Sequence, residues 1–363
     1  MGEKITLNRR NVLKTAVGSA SLIALTNVGS ADDTIEVPVA KHGDEIMKTK
    51  KVDRKWWEHT LQARKNRAEV EKKLQNSEAI ESVAITEGKE TISHHNEWKI
   101  TVKINRNEIS NNLNVTEDVR KHINDTIPQE YNGHVVETRV VEYTERYCNN
   151  SGDFDPVPGG VILHPEEPDD PRPWGTFCCP VSHADHSGSL MLATNHTQDD
   201  SDKVYQGDNY FGSPTNFKSS SLDFQLISHD GDTSLISSIE HPTSSGTIQG
   251  HATNLEALKS DSETILKTGV TTGYGSGQIT DIGSNTVTFN GEGAEGDSGA
   301  PWFIEFETYL GTQRYLVAME ISGPNNNSYY CDGIEVFGGP ESVGLTGETI
   351  IDYDDDIQIG STF

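Results

Sequence analysis

From about residue 158 to the end of the chain, no long run keeps the period of an amphipathic helix. Short stretches rich in Val, Ile, Thr, Phe and Tyr alternate with clusters of Gly, Asn, Asp and Ser. Branched and aromatic side chains crowd a helix but pack well on a pleated surface, and the intervening clusters supply turns. This pattern confines the region to an all-β fold, either a sandwich or a pair of barrels. At 363 residues the chain has room for two or three domains.

The preceding region reads differently. "KVDRKWWEHTLQARKNRAEVEKKLQNSEA", residues 51 to 79, predicts a solvated helix docked at its start by Trp56 and Trp57. "EWKITVKIN" and "HVVETRVVEYTERY" alternate as strands on either side of the helix-like "SNNLNVTEDVRKHINDTIP", so a small α+β unit is expected over about residues 80 to 147. Residues 32 to 50 show no clear pattern. Charge divides the chain as well: residues 1 to 150 hold 23 basic and 23 acidic side chains, whereas residues 151 to 363 hold 6 and 33 and carry the entire net charge of -27. Phosphate is repelled by such a surface, which excludes nucleic acid and anionic lipid as partners. It suits concentrated salt, where the screening length falls to roughly 3 Å, and a salt-adapted protein is expected.

The segment "NRRNVLKTAVGSASLIALTNVGSA" resembles a twin-arginine export signal over residues 1 to 31, with cleavage near Ala31. Its apolar stretch is too short to span a bilayer, so a secreted protein without stable membrane association is expected. Residues 32 to 147 then form either a propeptide, acting as folding aid or intramolecular inhibitor, or a permanently attached accessory domain. Residues 148 to 157, within "CNNSGDFDPVPGG", read as a linker, and 158 to 363 as the main domain. Cys148, Cys178, Cys179 and Cys331 lack Cys-x-x-Cys spacing, which argues against structural zinc. Adjacent cysteines bridge each other poorly, so Cys178 and Cys179 are expected to pair with Cys148 and Cys331 in one order or the other.

One segment asks for a chemical explanation. "GEGAEGDSGAP", residues 291 to 301, sets Ser298 among four glycines. Gly296 and Gly299 let the backbone bend so that the amides of Gly296 and Ser298 converge where the oxyanion of an acyl-transfer intermediate would sit. An upstream base and an orienting acid would complete such a site. "SGSLMLATNHTQ" ends an apolar strand on His196, a candidate general base. "SSSLDFQLIS" places Asp223 among Leu222, Phe224, Leu226 and Ile227, where a carboxylate needs a partner such as an imidazole N–H. His183-x-x-His186 lies in a turn-rich segment and reads as a solvated loop, not a metal site. The acidic run from Asp352 to Asp356 lacks the glycine and terminal glutamate of a calcium loop. No metal or other cofactor is expected.

Gly296-Asp297-Ser298-Gly299-Ala300-Pro301 resembles the active-site serine motif of the chymotrypsin-like serine proteases, with Ala300 where most members have glycine. The His, Asp, Ser order and the segment Thr194-Asn195-His196 are similar to that family, although Thr197 replaces a usual cysteine and Gln225 a usually small residue. "KTGVTTGYGSGQIT" and "LVAMEISGP" extend the likeness, which spans about residues 158 to 350. The resemblance implies two six-stranded antiparallel β-barrels and hydrolysis of protein or peptide substrates. Ser298, His196 and Asp223 would form the triad, and the Gly296 and Ser298 amides the oxyanion hole. Ser322 and Gly323 would line the substrate edge, while Glu292 is either the pocket-base acid or one more surface acid. An Ile-Val-Gly-Gly start is missing; only Gly159-Gly160-Val161 appears. The alternative is a catalytically inactive binding protein on the same fold. An esterase of a different fold is disfavoured, because a Gly-x-Ser-x-Gly elbow is absent around Ser298.

Overall fold

A computed structural model describes residues 34–74, 80–104, 129–140, 154–164, 175–197, 203–231, 233–240, 246–308, 311–322, 327–331, 334–339 and 341–360. Strands dominate, which matches the all-β class expected. Beyond residue 158 the described helices are the short Leu255–Ser260 and Gly347–Tyr353. Among the described residues, no helix is long and apolar enough to cross a membrane. The expected export signal, the helix expected over residues 110 to 128, Cys148 and Gly323 fall outside the described residues.

Two sheet bodies organise the main domain. The first is a six-stranded antiparallel sheet in the order Val204–Gln206, Asn209–Ser219, Phe224–His229, His186–Ala193, Pro180–His183, Ile357–Ile359. Register in its centre pairs Leu192 with Leu226 and Ala193 with Gln225, and alternate side chains point into two buried clusters, one around Leu192 and Leu226 and one around Met191 and Ile227. The second body is built on Pro301–Thr308 and Gly311–Ser322, flanked by Ile265–Gly269 and Ser342–Thr346. This body continues into the N-terminal strands: Ile282 pairs with Ile85, and Ala40 pairs with Ala252, so one sheet of 16 strands runs through both regions.

The hairpin Thr34–His42 with Glu45–Asp53 falls in the stretch of residues 32 to 50 where the sequence shows no pattern and takes in the first three residues of the expected helix. The helix spans Arg54–Leu74, three residues later at its start than 51 to 79 because the Asp53 carboxylate accepts the amide of Trp56 there. It is not solvated on all sides. Trp56, Thr60, Ala63, Arg67, Val70 and Leu74 are buried at three- and four-residue spacing, a stripe hidden from sequence reading because half of it is small or polar.

A single apolar core joins the two regions. Val37, Val52, Trp56, Ile85 and Trp98 pack with Leu255, Ile279, Val287, Phe289, Trp302 and Val317. Polar contacts cross the same boundary. Lys103 forms a buried ion pair with Asp281 and donates to Thr288 Oγ1 at 3.0 Å. Arg64 Nε donates to the buried Glu256 carboxylate at 2.6 Å, and the buried Arg67 guanidinium donates to Ile282 O at 3.1 Å. Burial pulls the Arg67 guanidinium below its ordinary pKa.

The cysteine expectation is corrected. Cys178 and Cys179 are both free and fully buried in the first body. Their side chains fill its core as small apolar groups, and burial pushes the Cys178 thiol up, with the neighbouring Cys179 adding to the shift.

Trp98 lies in the N-terminal region but belongs to the core beneath the second body, so its truncation tests whether the two regions fold as one. Trp98→Ala is expected to cost about 3–5 kcal/mol, and denaturant titration in concentrated salt should still give a single transition for both regions.

Candidate active site

Each of the three candidate side chains comes from a different segment. His196 follows the apolar strand His186–Ala193. The strand end is closed by a small hydroxyl network in which Thr194 Oγ1 donates to Thr197 Oγ1 at 3.2 Å and Thr197 Oγ1 donates to Thr194 O at 2.9 Å. Thr197 therefore pins locally the turn that carries the histidine. Asp223 lies one residue before the neighbouring strand Phe224–His229, in a left-handed conformation with φ of 62°. The sequence suggested a strand position there; the turn instead swings the carboxylate toward the histidine. Asp223 Oδ1 accepts the amide of His196 at 3.0 Å and Oδ2 lies 2.6 Å from His196 Nδ1.

Ser298 belongs to the second body, and its Oγ lies 3.1 Å from His196 Nε2. With Nδ1 donating to Asp223, Nε2 holds the lone pair that faces the hydroxyl. The histidine and aspartate side chains keep 28% and 22% exposure, so both reach solvent.

The serine turn is held by groups that sequence reading largely passed over. Gly296 and Gly299 both have positive φ, 91° and 100°, and a Cβ at Gly299 would sit 1.8 Å from Thr176 O, so glycine alone fits there. Thr176 spans the turn: its amide donates to Ser298 O at 2.7 Å and its hydroxyl to Gly296 O at 2.6 Å. The amide of Gly299 donates to Glu320 O at 2.7 Å, and that of Glu320 to Ala300 O at 2.9 Å. Within the turn the amide of Asp297 donates to Ala294 O at 2.9 Å and that of Ala300 to Asp297 O at 2.7 Å, so the amides of 297, 299 and 300 and the carbonyls of 294, 296, 297, 298 and 300 are all engaged.

Under the turn lies a buried charge cluster. Asp297, with no exposed surface, accepts from the amides of Thr271 at 2.8 Å, Thr272 at 3.1 Å and Ala294 at 3.2 Å, from Thr272 Oγ1 at 2.7 Å and from Lys267 Nζ at 2.8 Å. Lys267 Nζ also lies 2.7 Å from Glu320 Oε2 and donates to Glu292 O at 2.7 Å. Burial draws the Lys267 ammonium down, but Asp297 and Glu320 outweigh it and hold the pKa above its ordinary value. Desolvation pushes Glu320 up to about 8 despite the adjacent ammonium. Lys267, Thr271, Thr272 and Glu320 all lie in segments quoted above for family likeness; the signal for Lys267 and Glu320 was a lone charge inside a strand.

The remaining candidates are less informative. Glu292 is half-buried and its carbonyl serves Lys267, while Ser322 is half-buried at the end of the strand Gly311–Ser322. His183 is not in a solvated loop: it is a buried strand residue stacked on Phe217 at 3.8 Å and facing Asp354 at 3.2 Å, with Asp356 close by. Its Nδ1 accepts the Asp185 amide at 3.1 Å, so the ring proton sits on Nε2 toward Asp354 and leaves no lone pair there for a cation.

No family model matches the chain, and no curated protein matches it. Among solved structures the chain is similar to Nocardiopsis protease NAPase, at 13% identity and a TM-score of 0.39 over 56% of this chain and 99% of that one. A glutamic acid specific serine protease matches at 14% identity and 0.39, over 56% and 100%. Cellulomonas bogoriensis chymotrypsin matches at 16% and 0.38, over 57% and 99%. Identity at this level assigns no role to any residue.

The Asp223 contact makes a sharp prediction. Asp223→Asn keeps the shape but favours the wrong imidazole tautomer, so turnover of an activated ester or peptide should fall on the order of 10³–10⁴-fold with the melting temperature nearly unchanged.

Proposed function

We propose that the chain is an exported, salt-adapted serine endopeptidase. The observation that carries this reading is His196, set between Asp223 at 2.6 Å and Ser298 Oγ at 3.1 Å although the three residues come from separate segments. In this reading Ser298 Oγ attacks the carbonyl carbon of a peptide bond while His196 Nε2 takes its proton. Asp223 holds the tautomer and steadies the imidazolium. The developing oxyanion is met by the amides of Gly296 and Ser298, which point from a turn already fixed by Thr176 and Asp297. The imidazolium returns the proton to the leaving amine, and water repeats the sequence to release the acyl group from Ser298. The chemistry calls for no cofactor.

The substrates are proteins or peptides, and nucleic acid and membrane are not partners of so acidic a surface. The N-terminal region serves folding in this reading, because Trp56, Ile85 and Trp98 complete the core of the body that carries Ser298.

A fluorophosphonate, which reacts only with an activated serine, tests the proposal directly. Intact mass in concentrated salt should gain one adduct per chain that maps to Ser298 and is lost in Ser298→Ala. A folded protein that stays unlabelled would instead be a binding protein on this fold.

A further inference from the structure

Asp297 does not hold Lys267 alone. Glu320 shares that ammonium, and its main chain bonds Gly299 and Ala300 on the C-terminal side of Ser298. Glu320 is 1% exposed. Its Oε2 meets Lys267 and accepts Trp302 Nε1 at 3.0 Å, while its Oε1 has no hydrogen-bond partner among the described residues. The charged groups facing it are few. The strand Ile265–Gly269 brings Lys267, the serine turn brings Asp297, the strand Pro301–Thr308 brings the neutral Trp302 indole, and the paired strand Ser342–Thr346 brings Gly344 opposite.

Two carboxylates thus compete for one buried ammonium. When Glu320 is neutral, Lys267 and Asp297 form a balanced pair, and an unpartnered Oε1 is tolerable because the group bears no charge. Ionised, Glu320 would bury an excess negative charge with one oxygen unsolvated, a costly state. Lys267 would then be drawn from Asp297, and the Asp297 carboxylate is what anchors Thr271, Thr272 and Ala294 around the serine turn.

We propose that Glu320 is a positioning residue: while protonated it leaves Lys267 to Asp297 and keeps the serine turn in its working shape, and its ionisation loosens that turn. The proposal rests on the reading of Ser298 as nucleophile only for its effect on turnover. Desolvation raises Glu320 to about 8, so the neutral form prevails below that pH and is lost as pH rises through it.

The test is a ¹⁵N–¹H titration of wild type and Glu320→Gln in concentrated salt from about pH 6 to 9.5, with turnover measured alongside. In wild type the Trp302 indole and the amides of Thr271, Thr272 and Ala294 should move together with a midpoint near 8. In Glu320→Gln none should move in that range. If the neutral form alone supports catalysis, wild-type turnover falls about tenfold between pH 7 and 9 while the variant shows no such fall. An indole that titrates while the three amides stay still would overturn the proposal, as would an alkaline loss of turnover common to both proteins. Should Glu320→Gln fail to fold, the wild-type comparison of indole and amides still decides. Amides that move in a protein showing neither turnover nor a serine adduct would uphold the coupling and sink the protease reading instead.

Discussion

The buried carboxylate of Asp297 is the constraint on which the serine turn depends. An ionised group without solvent access costs several kcal/mol unless its lone pairs are filled, and here Lys267, Thr272 and the amides of Thr271, Thr272 and Ala294 fill them. Any relaxation of residues 294 to 299 would strand that charge. The turn therefore keeps two glycines at positive φ and a serine aimed at His196, an arrangement that a free chain would not hold. Concentrated salt screens exposed charges but reaches a fully buried cluster far less.

The cluster is also a link between regions. Trp302 stacks flat on Phe289 at 4.2 Å within the core that includes Trp56 and Trp98, and its indole nitrogen reaches Glu320. The N-terminal region thus packs on residues that are one hydrogen bond from the cluster beneath Ser298. The first body supplies His196 and Asp223 from turns at the ends of adjoining strands, and Thr176, on the short strand Gly175–Thr176, holds the turn of the second through Ser298 O and Gly296 O. Two sheets, one threonine and one charge cluster set the distance between His196 and Ser298.

Much of this was legible in the sequence, for physical reasons. The all-β class follows from short branched and aromatic runs, and Ser298 is marked by glycines that only a special backbone needs. Asp223 stood out as a carboxylate among apolar residues, although its left-handed turn was not visible. What escaped was whatever depends on long-range pairing. The hairpin Thr34–His42 with Glu45–Asp53 alternates poorly because one strand is exposed almost throughout. The helical stripe was masked by Thr60 and Arg67, whose partners Trp98 and Ile282 lie far along the chain. The expected disulfides failed because Cys178 and Cys179 lie inside the first body as packing groups. Glu320 drew no notice, since a single acid in an apolar strand acquires its meaning only from Lys267, 53 positions earlier.

The central claim is that Ser298 becomes acylated and then deacylated. Rapid-mixing kinetics with a chromogenic ester in concentrated salt would measure this most directly. The account predicts a burst of close to one product per chain, followed by slower steady release, with the acyl group found on Ser298 in quenched samples. Linear release from the first turnover, with no acyl group on Ser298 even when deacylation is slowed by mild acid, would contradict it.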